Sequence, residues 1–132
     1  MLTNTMATYN CTKHVITVMD KRTGRVRNVY KPSGIRLVPK TVPGPPCDSF
    51  EGAPVNRACL ADSPEDFWRA AGFKNGDTII VDSSTASFVM CYADRDKVRL
   101  LVPITGRGDD CRDKYNRIQG VYGFFLLNRI PD

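Results

Sequence analysis

The chain lacks the long apolar runs that mark membrane and secreted proteins. It has no apolar stretch of 18 residues, and residues 1–9 are mixed in polarity rather than forming an apolar signal core. These absences predict a protein without a membrane span that stays in the cytoplasm where it is made. A hydrophobic fraction of 42% is ordinary for globular proteins, so residues 1–132 are expected to form one domain, with a loose leader over residues 1–10.

Motifs that carry chemistry are equally scarce. His14 is the single histidine, and no P-loop, dinucleotide-binding fingerprint, His-rich cluster or paired-carboxylate motif is present. The five cysteines are odd in number and form no C-x-x-C pair, which predicts free thiols rather than disulfides or a zinc site. We therefore expect no metal, no cofactor and no catalytic residue, and we interpret His14 as a hydrogen-bonding residue at a strand end.

The positive charge is concentrated in the first third of the chain. Residues 1–46 carry eight basic residues against Asp20 alone, whereas residues 47–132 carry 11 basic and 13 acidic residues. Such a segment suits nucleotide phosphates, nucleic acid or an acidic protein, and it also suits a solvated basic face. Aromatic residues are not interleaved with the basic ones, so a specific reader of DNA or RNA is not favoured.

Short β patterns with turn residues between them predict the fold. A hairpin is expected over residues 14–19 and 25–30, with Gly24 in its turn, followed by a strand over residues 35–38. The prolines of residues 41–48 predict an extended loop, and Ser63 with Pro64 predicts a helix start. A closing strand is expected over residues 120–127. The fold class predicted is α+β, with a mixed, mostly antiparallel sheet and two short helices.

Residues 78–86 are expected to lie at the centre of the fold. In this stretch a short apolar strand is followed directly by Ser83, Ser84 and Thr85. Residues 86–93 then form either a two-turn helix or a second strand. A strand followed by a hydroxyl-rich helix start offers free backbone N–H groups to an anion. The alternative interpretation is that Ser83 or Ser84 only caps the helix.

Arginines supply the other candidate ligand-binding groups. Arg25 and Arg27 share one face of the predicted hairpin, Arg36 lies on the next predicted strand, and Arg107 lies in the charged loop 106–113. Guanidinium groups bind phosphate through paired hydrogen bonds. The predicted ligand-binding residues are thus Arg25, Arg27, Arg36, Ser83, Ser84, Thr85 and Arg107.

Short motifs along the chain, taken in order, resemble those of a group of small phage accessory proteins. That group opens with Asn-Leu-Thr-Pro-His and continues with a Pro-Ser-Gly turn and a strand ending in Ile-Val-Ser. This chain has Asn-Cys-Thr-Lys-His at residues 10–14, Pro-Ser-Gly at 32–34, Gly-Ala-Pro-Val at 52–55, Ile-Val-Asp-Ser at 80–83 and Gly-Val-Tyr-Gly at 120–123. It departs from the pattern at Cys11 and Lys13 and in the inserted Asp82.

The resemblance implies a phage protein that acts in the infected bacterial host against its defences. Sponges of the Sequestin and Lockin type sequester cyclic-nucleotide or ADP-ribose-type signals without cleaving them, and they bind at subunit interfaces, which implies a homo-oligomer. We therefore expect a non-enzymatic protein that sequesters a phosphorylated nucleotide-type immune signal. The alternatives are an accessory protein that binds a host or virion protein, and a nucleotide-cleaving enzyme.

Overall fold

The computed structural model describes residues 6–38, 40–89, 98–106 and 108–127, and within them the chain has the α+β character expected from the sequence. The helices are α1 (Pro64–Ala70) and α2 (Ser83–Val89). The strands are β1 (Thr8–Asn10), β2 (Ile16–Met19), β3 (Val26–Tyr30), β4 (Thr41–Phe50), β5 (Ala53–Leu60), β6 (Asp77–Ile80), β7 (Val98–Pro103), β8 (Asp110–Arg112), β9 (Ile118–Val121) and β10 (Phe124–Leu126). None of the helices in the described ranges is long and apolar enough to cross a membrane.

The first sheet is built around β6, which the sequence predicted as the central strand. Its order is β1-β6-β7-β10, with β1 and β7 parallel to β6 and β10 antiparallel to β7. Every residue of β6 is buried, because the strand is covered on both faces. Thr8–Asn10, within the segment predicted as a leader, are the edge strand β1 of this sheet.

The second sheet contains the predicted basic hairpin. Its order is β3-β2-β9-β8, in which β2 pairs antiparallel with β3 and parallel with β9. Gly24 closes the β2–β3 turn at a φ of 71°, a conformation that glycine adopts without strain. Ile16, Ile80 and Val121 pack together as a small buried cluster that joins this sheet to the first one. The mixed strand directions were thus expected, but the strands divide into separate sheets rather than one.

Helix α1 begins and ends as its sequence predicts. The Ser63 hydroxyl accepts a hydrogen bond from the Asp66 N–H, Pro64 occupies the first turn, and Gly72 follows the helix at a φ of 87°. The helix buries Phe67 and Trp68 in the main core, where Trp68 is only 2% exposed and its ring centre lies 5.9 Å from that of Phe73. Trp68 is therefore a packing residue rather than a platform for a ligand.

The prediction of an extended loop at residues 41–48 is wrong, because these residues form most of β4. Strand β4 pairs antiparallel with β5 as a two-stranded sheet, and the register shifts on either side of Pro46. Bulges of this kind let a strand accommodate prolines that lack a donor. The sequence argument that prolines exclude this segment from a central sheet holds, since within the described ranges β4 pairs with β5 alone.

Two further strand predictions are wrong. Residues 35–38 form no strand; the Ser33 hydroxyl accepts from the Ile35 N–H, and Leu37 is buried in the main core from an irregular segment. Residues 120–127 are not one strand, because the chain leaves β9 at Val121 and enters β10 at Phe124 in the other sheet. Leu37 and Val121 are buried, whereas Val38, Phe125 and Leu126 are exposed. Neither segment has the continuous strand pairing that the pattern suggested.

Candidate functional site

A groove of about 660 Å³ lies between the two four-stranded sheets. Four segments line it: the end of the β1–β2 connection with β2, the start of α2, the end of β7, and the β8–β9 connection with β9. The start of α2 reaches the groove because it directly follows β6. Clefts at the carboxyl ends of parallel strands are common ligand sites, and this volume lies in the usual range for small-molecule pockets.

The groove has an apolar floor and a polar rim. Ile16, Val102 and Val121 contribute the floor, and each is less than a tenth exposed. The remaining lining residues include a cation, an imidazole, a carboxylate, hydroxyls and an amide, namely Arg117, His14, Asp82, Thr12, Thr17, Ser83, Thr105 and Gln119. Such a site offers an apolar surface to a flat group and hydrogen-bonding side chains to a polar one.

Asn10 holds the segment that carries two of the rim residues. Its side-chain amide donates to the carbonyl oxygens of His14 at 2.7 Å and Tyr30 at 2.9 Å, and its side-chain oxygen accepts from the Thr12 N–H and hydroxyl. Asn10 is 2% exposed, so these bonds are sheltered from water. The Asn-x-Thr-x-His motif is thus a structural loop that presents Thr12 and His14 to the groove.

Arg117 is held in place by Asp113 across the β8–β9 connection. The Asp113 carboxylate accepts hydrogen bonds from the Arg117 N–H at 2.9 Å and from Nε at 3.0 Å. Hydrogen bonds from the backbone N–H groups of Arg117 and Tyr115 lower the pKa of Asp113, so the carboxylate stays ionised. The guanidinium also lies 5.1 Å from the centre of the Tyr115 ring. Arg117 remains largely exposed, so its other N–H donors are available to a ligand.

Asp82, rather than a serine, caps α2. Its backbone oxygen accepts from the Ala86 N–H, and its carboxylate accepts from the Thr85 N–H at 2.7 Å and the Ser84 hydroxyl at 2.9 Å. The bond from the Thr85 N–H, aided by those from the Thr85 and Ser84 side chains and by the charge of Lys13, lowers the pKa of Asp82. The helix start therefore already holds an anion of its own, which engages the Thr85 N–H and the Ser84 hydroxyl, two of the donors expected to cradle a phosphate.

The structure distributes the predicted ligand-binding residues over different surfaces. Ser83 lines the groove. Residues 83–89 are helical, so this part of the segment forms the predicted helix rather than the second strand. The three arginines at 25, 27 and 36 are exposed and do not line the groove, and Arg27 pairs with Asp20 at 2.7 Å. Arg107 lies outside the described residues, as do residues 90–93.

Sequence reasoning did not select Arg117 or Thr12 as ligand-binding residues. Asp113 and Arg117 are four residues apart, with Asn116 between them at a φ of 66°, which is a recognisable turn pattern. That pattern indicates an ordered arginine but does not indicate a groove. The cysteines found free are Cys11, Cys47, Cys59 and Cys111, whereas Cys91 lies outside the described residues. Within the described part of the chain, no cluster of three metal-ligating side chains occurs.

Comparison with family models, with curated proteins and with solved structures gives no match for this chain. The functional argument therefore depends on the geometry of the groove itself.

Proposed function

We propose that the protein captures a small phosphorylated, nucleotide-type molecule in the groove between its two sheets and does not cleave it. The observation that carries this proposal is the combination of a buried apolar floor with a rim that bears Arg117 and several hydroxyl groups. A nucleotide has the complementary chemistry, with a flat base of low polarity at one end and anionic oxygens at the other. The groove volume is sufficient for such a molecule.

The cationic and neutral donors of the rim favour an anionic ligand. Arg117 is kept oriented by Asp113, so less side-chain freedom is lost when it binds a phosphate. The Ser83 hydroxyl adds a neutral donor at the start of α2. The chain as a whole carries a net charge of +5, which attracts an anion before contact is made.

The role of Asp82 supports binding rather than hydrolysis. Among the described lining residues it is the only carboxylate, and three donors hold it in its ionised form. A carboxylate committed to capping α2 is poorly placed to exchange a proton with a substrate. His14 is exposed, and its backbone, rather than its ring, makes the hydrogen bonds described above. We therefore assign these residues to positioning and recognition.

The biological setting of this proposal comes from the resemblance to small phage accessory proteins. A sponge that holds a nucleotide-type immune signal would lower its free concentration in an infected bacterium, and it would act as a homo-oligomer. A ligand-binding groove without turnover is what such a role requires.

Equilibrium dialysis followed by heat denaturation tests the proposal directly. The purified protein would be dialysed against cyclic mononucleotides, cyclic dinucleotides and ADP-ribose compounds, with inorganic phosphate as the baseline. We expect one class to be retained above that baseline and to be released intact, as judged by mass spectrometry. Retention of none of these classes would overturn the proposed ligand, and release of a degraded ligand would identify an enzyme instead.

Matched variants then locate the site. Arg117→Ala should weaken binding about tenfold, or about 1.4 kcal/mol, because one charge-assisted contact is lost. Lys74→Ala removes an exposed cation that does not line the groove and should leave the affinity unchanged. Arg36→Ala tests the basic surface predicted from the sequence. A loss of affinity with Arg36→Ala but not with Arg117→Ala would place the site outside the groove.

A further inference from the structure

Strands β4 and β5 form an arm, defined here as residues 41–60, whose two outer edges differ. Within the arm, every residue whose side chain is described is exposed, apart from the partly buried Gly44. Strand β4 carries Pro43, Pro45 and Pro46, which cannot donate a hydrogen bond to a further strand. Strand β5 has a proline only at its second position, so residues 55–60 keep their backbone donors. One edge of the arm is therefore blocked and the other is open.

The open edge has no backbone partner in the part of the chain that the structure describes. Strand β5 pairs with β4, and no described backbone group beyond β4 bonds to it. A two-stranded hairpin is marginally stable in water, and three or more strands are needed for independent stability. An unprotected edge is also a template for another strand. The arm is thus suited to extension by one more strand along β5.

We propose that this strand is β5 of a second copy of the chain. Two copies related by a two-fold axis perpendicular to the arm would pair antiparallel along β5. The result is a continuous four-stranded sheet in the order β4-β5-β5-β4, with a proline-rich strand at each end. Because the surface is self-complementary, one interface satisfies both open edges and the assembly closes at two copies. This inference does not depend on the proposed ligand.

The charges of the arm favour one register of this pairing over its neighbour. With the axis at Arg57, the two Arg57 side chains would lie opposite each other, and directly opposed like charges destabilise a sheet. With the axis at Asn56, each Arg57 lies opposite Val55 of the other copy. Val55 is paired with Asp48 within its own arm, so Asp48, Val55 and the second copy's Arg57 form one row on one face.

The spacing of that row allows an ion pair between the copies. Adjacent strands are separated by about 5 Å, so Asp48 and the Arg57 of the second copy are about 10 Å apart at the backbone. The long arginine side chain and the aspartate can meet across the smaller Val55. The two-fold axis generates this contact twice. Asp48 of each arm thus meets Arg57 of the other.

Sedimentation velocity over a wide range of protein concentrations tests the pairing, together with a charge exchange. We expect the parent chain to form a dimer. Arg57→Glu places two acids in each row and Asp48→Arg places two guanidinium groups there, so each single variant should raise the dimer dissociation constant about tenfold. The double variant Asp48→Arg with Arg57→Glu restores opposite charges and should regain most of the parent affinity.

The control is Lys74→Glu, which reverses an exposed charge outside the arm and should leave dimerisation unchanged. Circular dichroism of every variant establishes that the fold is retained, and the restoring double variant separates a lost ion pair from a damaged arm. A parent chain that stays monomeric at all concentrations overturns the proposal and leaves the edge to a different protein. A dimer that neither single variant weakens also overturns it, because another surface must then hold the copies together.

Discussion

Ser33 is bonded twice to one atom of Asn10, since its backbone N–H and its hydroxyl both donate to the Asn10 carbonyl oxygen at 2.8 Å. The two residues belong to separate motifs, Asn-x-Thr-x-His and Pro-Ser-Gly, 23 positions apart. The Asn10 side chain is bonded in turn to Thr12, His14 and Tyr30. The two motifs therefore form one structural unit, which fixes the wall of the groove that carries Thr12 and His14.

Replacing Asn10 should destabilise the whole domain. Asn10→Ala leaves the Tyr30 carbonyl oxygen and the Thr12 N–H without their partner, which costs about 1–3 kcal/mol for each buried group left unpaired, whereas the His14 carbonyl oxygen keeps its bond from the Thr12 hydroxyl. Urea unfolding would show a lower midpoint with an unchanged slope. Asn75→Ala, in an exposed turn, is the matched control and should shift the midpoint little. Equal shifts in the two variants would contradict the structural role given to Asn10.

Asp110 makes stability depend on acid pH. Its side chain is fully buried against Arg112, and the hydrogen bonds from Arg112 and from the Gly106 N–H lower its pKa below the ordinary value of 3.8. A carboxylate whose pKa is lower in the folded than in the unfolded state stabilises the fold. This stabilisation is complete at pH values above the ordinary pKa of 3.8, and it is lost as the pH falls from there towards the folded-state pKa.

Asp110→Asn should therefore be less stable than the parent at neutral pH, with a difference that shrinks as pH falls below 3.8. Urea midpoints measured from pH 7 down to about pH 2 would show this, since the ordinary carboxyl range lies within that window. The exposed Asp109, changed to Asn, is the control for the loss of a carboxylate from the same segment. A parallel pH profile for the parent and Asp110→Asn would show that the ion pair contributes nothing to the fold.

The parts of the fold that the sequence predicted are those fixed by local chemistry. Ser63 and Pro64 define the start of α1, Gly24 permits the turn of the hairpin, and the apolar run of β6 is buried. Strand β4 was missed because three prolines are incompatible with a regular ladder, whereas register shifts beside Pro46 tolerate them. The conformational preferences of individual residues do not predict where such bulges occur.

The groove was only partly predictable for a different reason. Ser83 was selected because it follows an apolar strand, and that local signal was sufficient to bring it into the candidate site. Arg117 lines the same groove as Ser83 because β2 pairs in parallel with β9, a contact between segments about a hundred residues apart. Periodicity within a segment carries no information about such pairing. Three of the four arginines singled out, Arg25, Arg27 and Arg36, were therefore ones close together in sequence.

Asp82→Asn tests whether the groove binds anions. Asparagine caps a helix about as well as aspartate, so α2 should persist while one negative charge leaves the groove. Affinity for the phosphorylated ligand identified by dialysis should rise about three- to tenfold, corresponding to about 0.6–1.4 kcal/mol for relief of one like-charge contact. Isothermal titration calorimetry would measure it, with Asp109→Asn as the control outside the groove lining. Unchanged or weaker binding by Asp82→Asn would indicate that the phosphates lie away from the start of α2.

The tip of the arm contains a strained residue that can be relieved. Glu51 and Gly52 join β4 to β5 at φ values of 50° and 81°, the backbone of a two-residue type I′ turn. Glutamate is disfavoured in this conformation, whereas asparagine followed by glycine is the preferred pair. Glu51→Asn should stabilise the arm by about 0.5–1 kcal/mol, which slows amide exchange in β5 about two- to fivefold.

Exchange would be measured at the lowest practical concentration, so that association between copies does not contribute. Glu51→Gln removes the same charge without changing the backbone preference, so it should leave the exchange rates unaltered. Equal slowing by both variants would attribute the effect to charge rather than to the turn.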